Sequence, residues 1–385
     1  MTVTLVVSPS ATGKTRHCLD QSRRTQAEHK LLPAWVIVPD RLQTAAIRRR
    51  LAAAGGAIGV RVGTFGDLYQ MVLLRASAPT PLAGEPVVYR LVQDAIREVA
   101  ARGQLVHYAA VTRMPGFINA LIGRIAELKQ ARVFPEKLLA VAGAHGPALV
   151  ELARVYAAYQ ERLTAAGWVD PEGLNWLAVE ALERNPDLIS DLQLVVVDGF
   201  DSFDAAQLAA IRLLGQGGAE VLVTLPGTPA MTRAAHRRFA RSLDAFRRAI
   251  PDAQLRDLPG EPSGPAPLKY LEQSLFEAAA PALPAEGRIA FLEARAPGDE
   301  AREALRWIKA RIVRDGLRPD ECALVTPDPE RYRPFLREAG AEFGMPLRFT
   351  HGDALASAAG IAALLDLLAL HPQKWPRSLT LEAIR

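Results

Sequence analysis

Residues 2–20 read TVTLVVSPSATGKTRHCLD. The β-branched and leucine-rich run from Thr2 to Val7 is built for a buried strand, and a helix-like segment follows the turn after it. Between them stands a near match to the phosphate-cradling pattern G-x-x-x-x-G-K-[ST], with Ser8 where the pattern has its first glycine. In such a loop backbone N–H groups wrap the phosphates, Gly13 permits close approach, Lys14 supplies a cation and the Thr15 hydroxyl holds Mg²⁺. The residues that would line the nucleotide are Ser8, Ser10, Ala11, Thr12, Gly13, Lys14 and Thr15. A Ser8-Pro9 pair can make the entry turn that the missing glycine would shape. The same string also suits a plain strand–turn–helix with an exposed lysine.

Outward from this stretch, an α/β rhythm continues. The valine-rich runs AWVIVP (34–39), GVRVGTF (59–65), LQLVVVDGF (192–200) and AEVLVTLP (219–226) alternate with helical patterns, as in a parallel sheet flanked by helices. From about Pro86 to Pro186 no strand signal appears. Segments such as FINALIGRIAELKQ (117–130) and ALVELARVYAAYQERL (148–163) carry apolar residues at three- and four-residue spacing instead, which predicts an inserted helical subdomain over 86–186. Residues 1–85 and 187–250 then form one sheet domain. The Pro- and Gly-rich LPGEPSGPAP (258–267) opens a linker over 251–287. RIAFLEA (288–294), a long helix and ECALVTP (321–327) suggest the start of a second α/β domain over 288–385.

Composition excludes several classes. A chain of 385 residues, 49% hydrophobic and 23% charged, is globular rather than disordered. Its formal net charge of +4 suits an anionic partner without demanding one. The two cysteines, Cys18 and Cys322, stand far apart and offer neither a disulfide framework nor a zinc site, which favours the cytoplasm. The most apolar stretch, GIAALLDLLAL (360–370), is short and carries Asp366, so neither a signal sequence nor a membrane span is expected.

A second nucleotide element would be a carboxylate at the end of a buried strand. Asp198, after Val195–Val197, is placed to reach Mg²⁺ directly or through water. It reads equally as a strand-ending turn residue, since Asp-Gly is a common turn pair. If both elements serve one Mg²⁺ together with Thr15, the strands 2–7 and 194–197 are expected side by side in one parallel sheet.

In this order the pieces resemble superfamily 1 helicases of the UvrD/Rep type, and more closely the inactivated helicase-like half of AddB-type subunits of ATP-dependent helicase-nucleases. Ser8 to Thr15 matches the first helicase motif. VIVPDRLQT (36–44) and VGTFGDLYQMVL (62–73) resemble segments that lie along DNA in the family, which implies DNA contacts at Pro39, Arg41, Gln43, Thr64 and Phe65. AAGWVDPEGL (165–174) looks like the stretch before the second strand motif, keeping Asp170 and placing Gly173 at a later acidic position. VVVDGFDSF (195–203) is similar to the D-G-F-x-x-F form of inactivated subunits, and LKYLEQSLF (268–276) to the family's linker. The resemblance implies an α/β fold of the P-loop NTPase (RecA-like) type, with a helical insertion and part of a second RecA-like domain. It also implies ATP and Mg²⁺ as cofactors, single-stranded or forked DNA as ligand, and an active helicase-nuclease subunit as partner in DNA repair and recombination.

Departures from the family pattern define the expected mechanism. Gly199 stands where working motors carry the glutamate that activates water. VLVTLPGTPA (221–230) lacks the G-D-x-x-Q glutamine, and Thr326-Pro327 replaces an arginine whose loss alone costs about 10³ to 10⁵ in rate. No upstream glutamine for adenine is expected before the first strand. Nor is a nuclease or an iron-sulfur cluster expected within these residues, since no D...E-x-K carboxylate cluster appears near the end and there are only two cysteines. Arg48, Arg49 and Arg50, with the arginines of 238–248, would neutralise phosphates or simply form solvated helix faces. Phe65 and Tyr69 are the aromatic residues best placed to stack on bases, and Phe65 reads more readily as a core residue than as a stacking platform. The expected activity is weak ATP binding without efficient hydrolysis in a DNA-binding or structural subunit. The alternatives are an active P-loop ATPase or kinase, and a pure protein scaffold.

Overall fold

The computed structural model describes residues 2–28, 33–78, 80–258, 260–350 and 352–370. The chain divides after Arg288 into two units. In the first, β1 (Thr2–Ser8), α1 (Lys14–Glu28), β2 (Ala34–Ile37), α2 (Arg41–Ala53), β3 (Val60–Gly63) and α3 (Phe65–Arg75) alternate. Five helices follow: α4 (Glu85–Ala101), α5 (Pro115–Gln130), α6 (Pro135–Ala142), α7 (Pro147–Ala165) and α8 (Pro171–Arg184). The rhythm then resumes with β4 (Leu194–Val197), α9 (Ala205–Gln216), β5 (Glu220–Pro226), α10 (Arg237–Ala249), β6 (Gln254–Asp257) and α11 (Ala266–Ser274).

All six strands form one parallel sheet in the order β3-β2-β4-β5-β1-β6. Every residue of β2 and β4 is buried, as a strand covered on both faces requires, and valine and isoleucine suit that setting. Alternation sorts the side chains between two layers. Val6, Val36, Val196 and Leu222 face Cys18 of α1 and Ile47 and Leu51 of α2. Val7, Ile37, Val197 and Val223 face a larger core supplied by α3, α8, α9 and α10. The edge strand β6, QLRD, is exposed throughout, and such a short, charged edge discourages pairing with other chains. Because it lacks an apolar run, its sequence gives no strand signal. It pairs because β1 offers it a free edge.

Four of the five helices between β3 and β4, α4 to α7, pack around their own core, which includes Val92, Ile96, Ile118, Leu121, Ile125, Tyr156 and Tyr159; α8 adds Trp176 to it and turns its other buried hydrophobic residues to the sheet core. Entry and exit of this insertion are tied together. Ala83 N donates to Val169 O at 2.7 Å, and Val169 N donates to Pro81 O at 3.0 Å.

In the second unit α12 (Pro297–Asp315) and α13 (Pro329–Glu342) pack through Ala301, Leu305, Leu336 and Ala339, and α14 (Ala359–Leu370) follows. Residues 288–294 and 321–327, expected as strands from their apolar runs, join no ladder among the described residues. Phe291 and Val325 lie 94% and 92% exposed, so these apolar side chains have found no sheet to cover. Residues 371–385 of the expected second domain lie outside the described residues. Among the described residues no helix is long and apolar enough to cross a membrane.

Candidate nucleotide site

The loop between β1 and α1 turns through two left-handed residues, Ala11 (φ 60°) and Gly13 (φ 95°). A Cβ at Gly13 would meet nothing within 4 Å, so backbone conformation, rather than crowding within the chain, selects glycine there. Ser8 is fully buried. Its hydroxyl lies 2.7 Å from Thr12 Oγ1 and donates to Leu258 O at 3.1 Å. The serine that breaks the motif thus ties the loop to itself and to the chain after β6.

Lys14 opens α1, with its Nζ donating to Ser8 O at 2.7 Å and to Pro9 O at 2.6 Å. Burial lowers its pKa, and the charges of Asp198 and Glu272 oppose that shift. Thr15 Oγ1 donates to Asp198 Oδ2 at 2.7 Å, and Thr224 Oγ1 on β5 donates to Asp198 Oδ1 at 2.6 Å. Thr15 and Asp198 stand 183 residues apart in sequence. A hydroxyl beside a single carboxylate is a donor set that fits Mg²⁺, which keeps waters and phosphate oxygens as its other ligands. Thr15 and Asp198 are the residues that would hold it.

The expected adjacency of β1 and β4 is corrected by the sheet order: they share one sheet, but β5 lies between them. The two side chains still meet because α1 leaves the end of β1 and crosses the sheet face. This seats Cys18 among residues of β2 and β4 as well as β1. Asp198 completes the approach by leaning across the end of β5 onto Thr224.

Gly199 follows with φ 87°, and a Cβ there would stand 2.6 Å from Gln43 Oε1. Asp40 caps α2 by accepting from Gln43 N at 2.8 Å, and the Gln43 side-chain Nε2 reaches Asp40 Oδ2 at 3.4 Å. The left-handed backbone at 199 therefore selects glycine, and a larger side chain would also have to displace the end of the Gln43 side chain.

The residues implied for DNA differ in exposure. Arg41, Arg48, Arg49 and Arg50 are exposed, as is Pro39, although Arg48 Nη2 already donates to Val62 O at 2.7 Å. Thr64 caps α3 in a reciprocal box with Asp67. Phe65 and Tyr69 do not face solvent. Both are buried, and Phe65 packs on Tyr69 at 5.8 Å and on Phe200 at 5.4 Å between ring centroids. They belong to the core because α3 turns its apolar stripe towards the sheet, so neither ring offers a base a stacking face.

Two ionic centres escaped the sequence reading. In the insertion, Lys129 is wholly buried and its Nζ donates to Asp170 Oδ2 at 2.6 Å, while Tyr159 donates to the same oxygen at 2.7 Å. Asp170 Oδ1 accepts from Gly173 N at 2.7 Å and so caps α8. Burial lowers the Lys129 pKa against the pull of Asp170. A signal was present: Lys129 continues the buried stripe Ile118, Leu121, Ile125 of α5 at four-residue spacing. The second centre is Glu272 of α11, largely buried beside Arg233 and His236. Arg233 Nη1 donates to Glu272 Oε2 at 3.1 Å, and Ser10 N of the loop donates to Glu272 Oε1 at 3.3 Å. Nothing in the sequence around Glu272 announces this.

Fold and site together define a parallel α/β protein of the RecA-like type, with a Gly-Lys-Thr loop facing a strand-ending aspartate. The family model described as "ADDB, N-terminal" matches residues 5–253, and the chain belongs to that family. Among curated relatives, the B subunit of an ATP-dependent helicase/deoxyribonuclease from Symbiobacterium thermophilum is 28% identical over 89% of this chain and 32% of its own length. Proteins of the same name are 29% identical in Moorella thermoacetica, over 63% of this chain and 22% of theirs, and 26% identical in Heliobacterium modesticaldum, over 90% and 30%. The chain thus spans a third or less of these relatives' length.

Proposed function

We propose that this chain is the helicase-like part of an AddB-type subunit in a helicase-nuclease complex, and that it holds Mg²⁺–ATP weakly without efficient hydrolysis. The observation that carries the reading is the 2.7 Å contact of Thr15 with Asp198, which brings two distant nucleotide motifs to one point. Gly199 supports the absence of turnover, because no carboxylate directly follows Asp198 to activate water. Single-stranded or forked DNA would be contacted through phosphates by Arg41, Arg49 and Arg50 on α2, with base sequence mattering little. A catalytically active helicase-nuclease subunit would be its protein partner. The scaffold alternative draws support from Lys14, whose ammonium is engaged by the loop's own carbonyls.

Isothermal titration with Mg²⁺–ATP separates these readings. Binding by the wild type that Lys14→Ala abolishes is the expected result. No binding heat from the wild type would leave only the scaffold.

A further inference from the structure

The loop between β1 and α1 is closed by the chain that follows β6. Leu258 O accepts from the Ser8 hydroxyl at 3.1 Å, and Ser263 N donates to Ala11 O at 2.9 Å. A Cβ at Gly260 would stand 3.4 Å from Thr12 O, so this stretch of chain lies close on the loop. Beyond it, α11 brings the Glu272 carboxylate to a backbone N–H of the loop, that of Ser10. Arg233 grips this carboxylate with Nη1 and the Glu272 carbonyl with Nη2, and His236 Nε2 lies 3.6 Å from Oε1. Glu277, just after α11, accepts from Ala234 N at 2.7 Å and docks the same segment without touching the loop.

A carboxylate that takes a loop N–H and is held by an arginine occupies the kind of setting in which a phosphate would bind. We propose that Glu272 is an internal anion that fills the phosphate position of this loop, and that α11 is a latch which an incoming polyphosphate must displace. The inference rests on the nucleotide-binding reading above and adds its regulation. Any phosphate chain meets two obstacles: the negative charge of Glu272 and the hydrogen bond it holds at Ser10. Apparent affinity is reduced by the fraction of molecules in which the latch is shut. Nucleotide binding and release of the segment after β6 are then the same event. Polyphosphate in the loop should free α11, and loosening of α11 should open the loop.

The test is titration of the whole chain with Mg²⁺–ATP and with Mg²⁺–tripolyphosphate, comparing wild type, Glu272→Gln, Glu272→Ala and Glu277→Gln. Both Glu272 variants should bind tighter than wild type by about tenfold or more, for both ligands. Glu277→Gln, which removes a nearby charge but keeps an acceptor for Ala234 N and leaves the competing anion in place, should gain much less. Wild-type and Glu272 variants binding alike would overturn the latch and leave the nucleotide site standing. No binding by any of the proteins would overturn both. A gain in Glu277→Gln as large as in Glu272→Gln would overturn the role of the anion. A second measurement needs no variant: tryptic cleavage after Lys269, within α11, should accelerate when tripolyphosphate is added to the wild type. Unchanged or slower cleavage at saturating ligand would contradict the latch.

Discussion

The left-handed backbone at Gly199 limits what the strand end after Asp198 can become. With φ at 87° and Gln43 Oε1 2.6 Å from the place of a Cβ, a glutamate there is strained before its carboxylate meets anything. Gly199→Glu should therefore destabilise the protein by about 1–2 kcal/mol from backbone strain, with the Gln43 side chain moving aside, and should not create hydrolysis. Urea denaturation and a phosphate-release assay check the two halves of this expectation. A folded Gly199→Glu variant that turns over ATP would show that one missing carboxylate was the whole deficit. At this scale the sequence was legible where chemistry is local. Gly13, Lys14 and Thr15 sit in one short run, and Asp198 ends an obvious strand. Ser8 was legible only as a departure, because its partners Thr12 and Leu258 are chosen by the fold. Glu272 was not legible at all, since its meaning comes from Ser10, Arg233 and His236, which lie far away in sequence.

Within the insertion, elements are joined by charges that have no escape to water. Lys129 at the end of α5, Tyr159 of α7 and the cap of α8 all converge on Asp170. Asp170→Ala would strand a buried ammonium and remove a helix cap, and should cost about 3–5 kcal/mol in urea denaturation. Asp170→Asn, which keeps an acceptor for Tyr159 and Gly173, should cost less. Glu151 of α7 makes a second joint, accepting from Val106 and His107 N at 2.7 Å and from Tyr108 N at 3.0 Å. Burial pushes its pKa up, but the three backbone donors and His107 outweigh burial and leave it below the ordinary carboxylate value. A depressed folded pKa means that its stabilisation is complete above the unfolded value of about 4.3 and is lost as pH falls through the folded value. Replacing it with glutamine should lower stability at neutral pH, with the gap to wild type closing as pH falls below about 4. A gap that persists unchanged in acid would contradict the assignment. The helices themselves were legible from their apolar spacing, and so were five of the six strands. β6 was not, because a polar edge strand carries no periodic signal. The strand order was not either: alternation of side chains says which residues are buried, but not which neighbour each strand will choose.

Across the first unit, one sheet gathers motifs that the sequence scatters. β1 ends in the loop, β4 ends in Asp198, β5 between them supplies Thr224, and the chain after β6 returns to cover the loop. Under the proposed reading this geometry would seat a nucleotide beside a carboxylate for its metal, while Gly199 would leave the water-activating position without a side chain. In the second unit Thr326 and Pro327 follow the exposed Val325, where a motor would present an arginine. Binding should therefore be separable from turnover. The direct measurement is phosphate release from ATP by the whole chain with saturating single-stranded DNA, beside Lys14→Ala under the same conditions. Both proteins should release phosphate at the same background rate, although only the wild type binds ATP. DNA-stimulated release by the wild type that disappears in Lys14→Ala would contradict this separation.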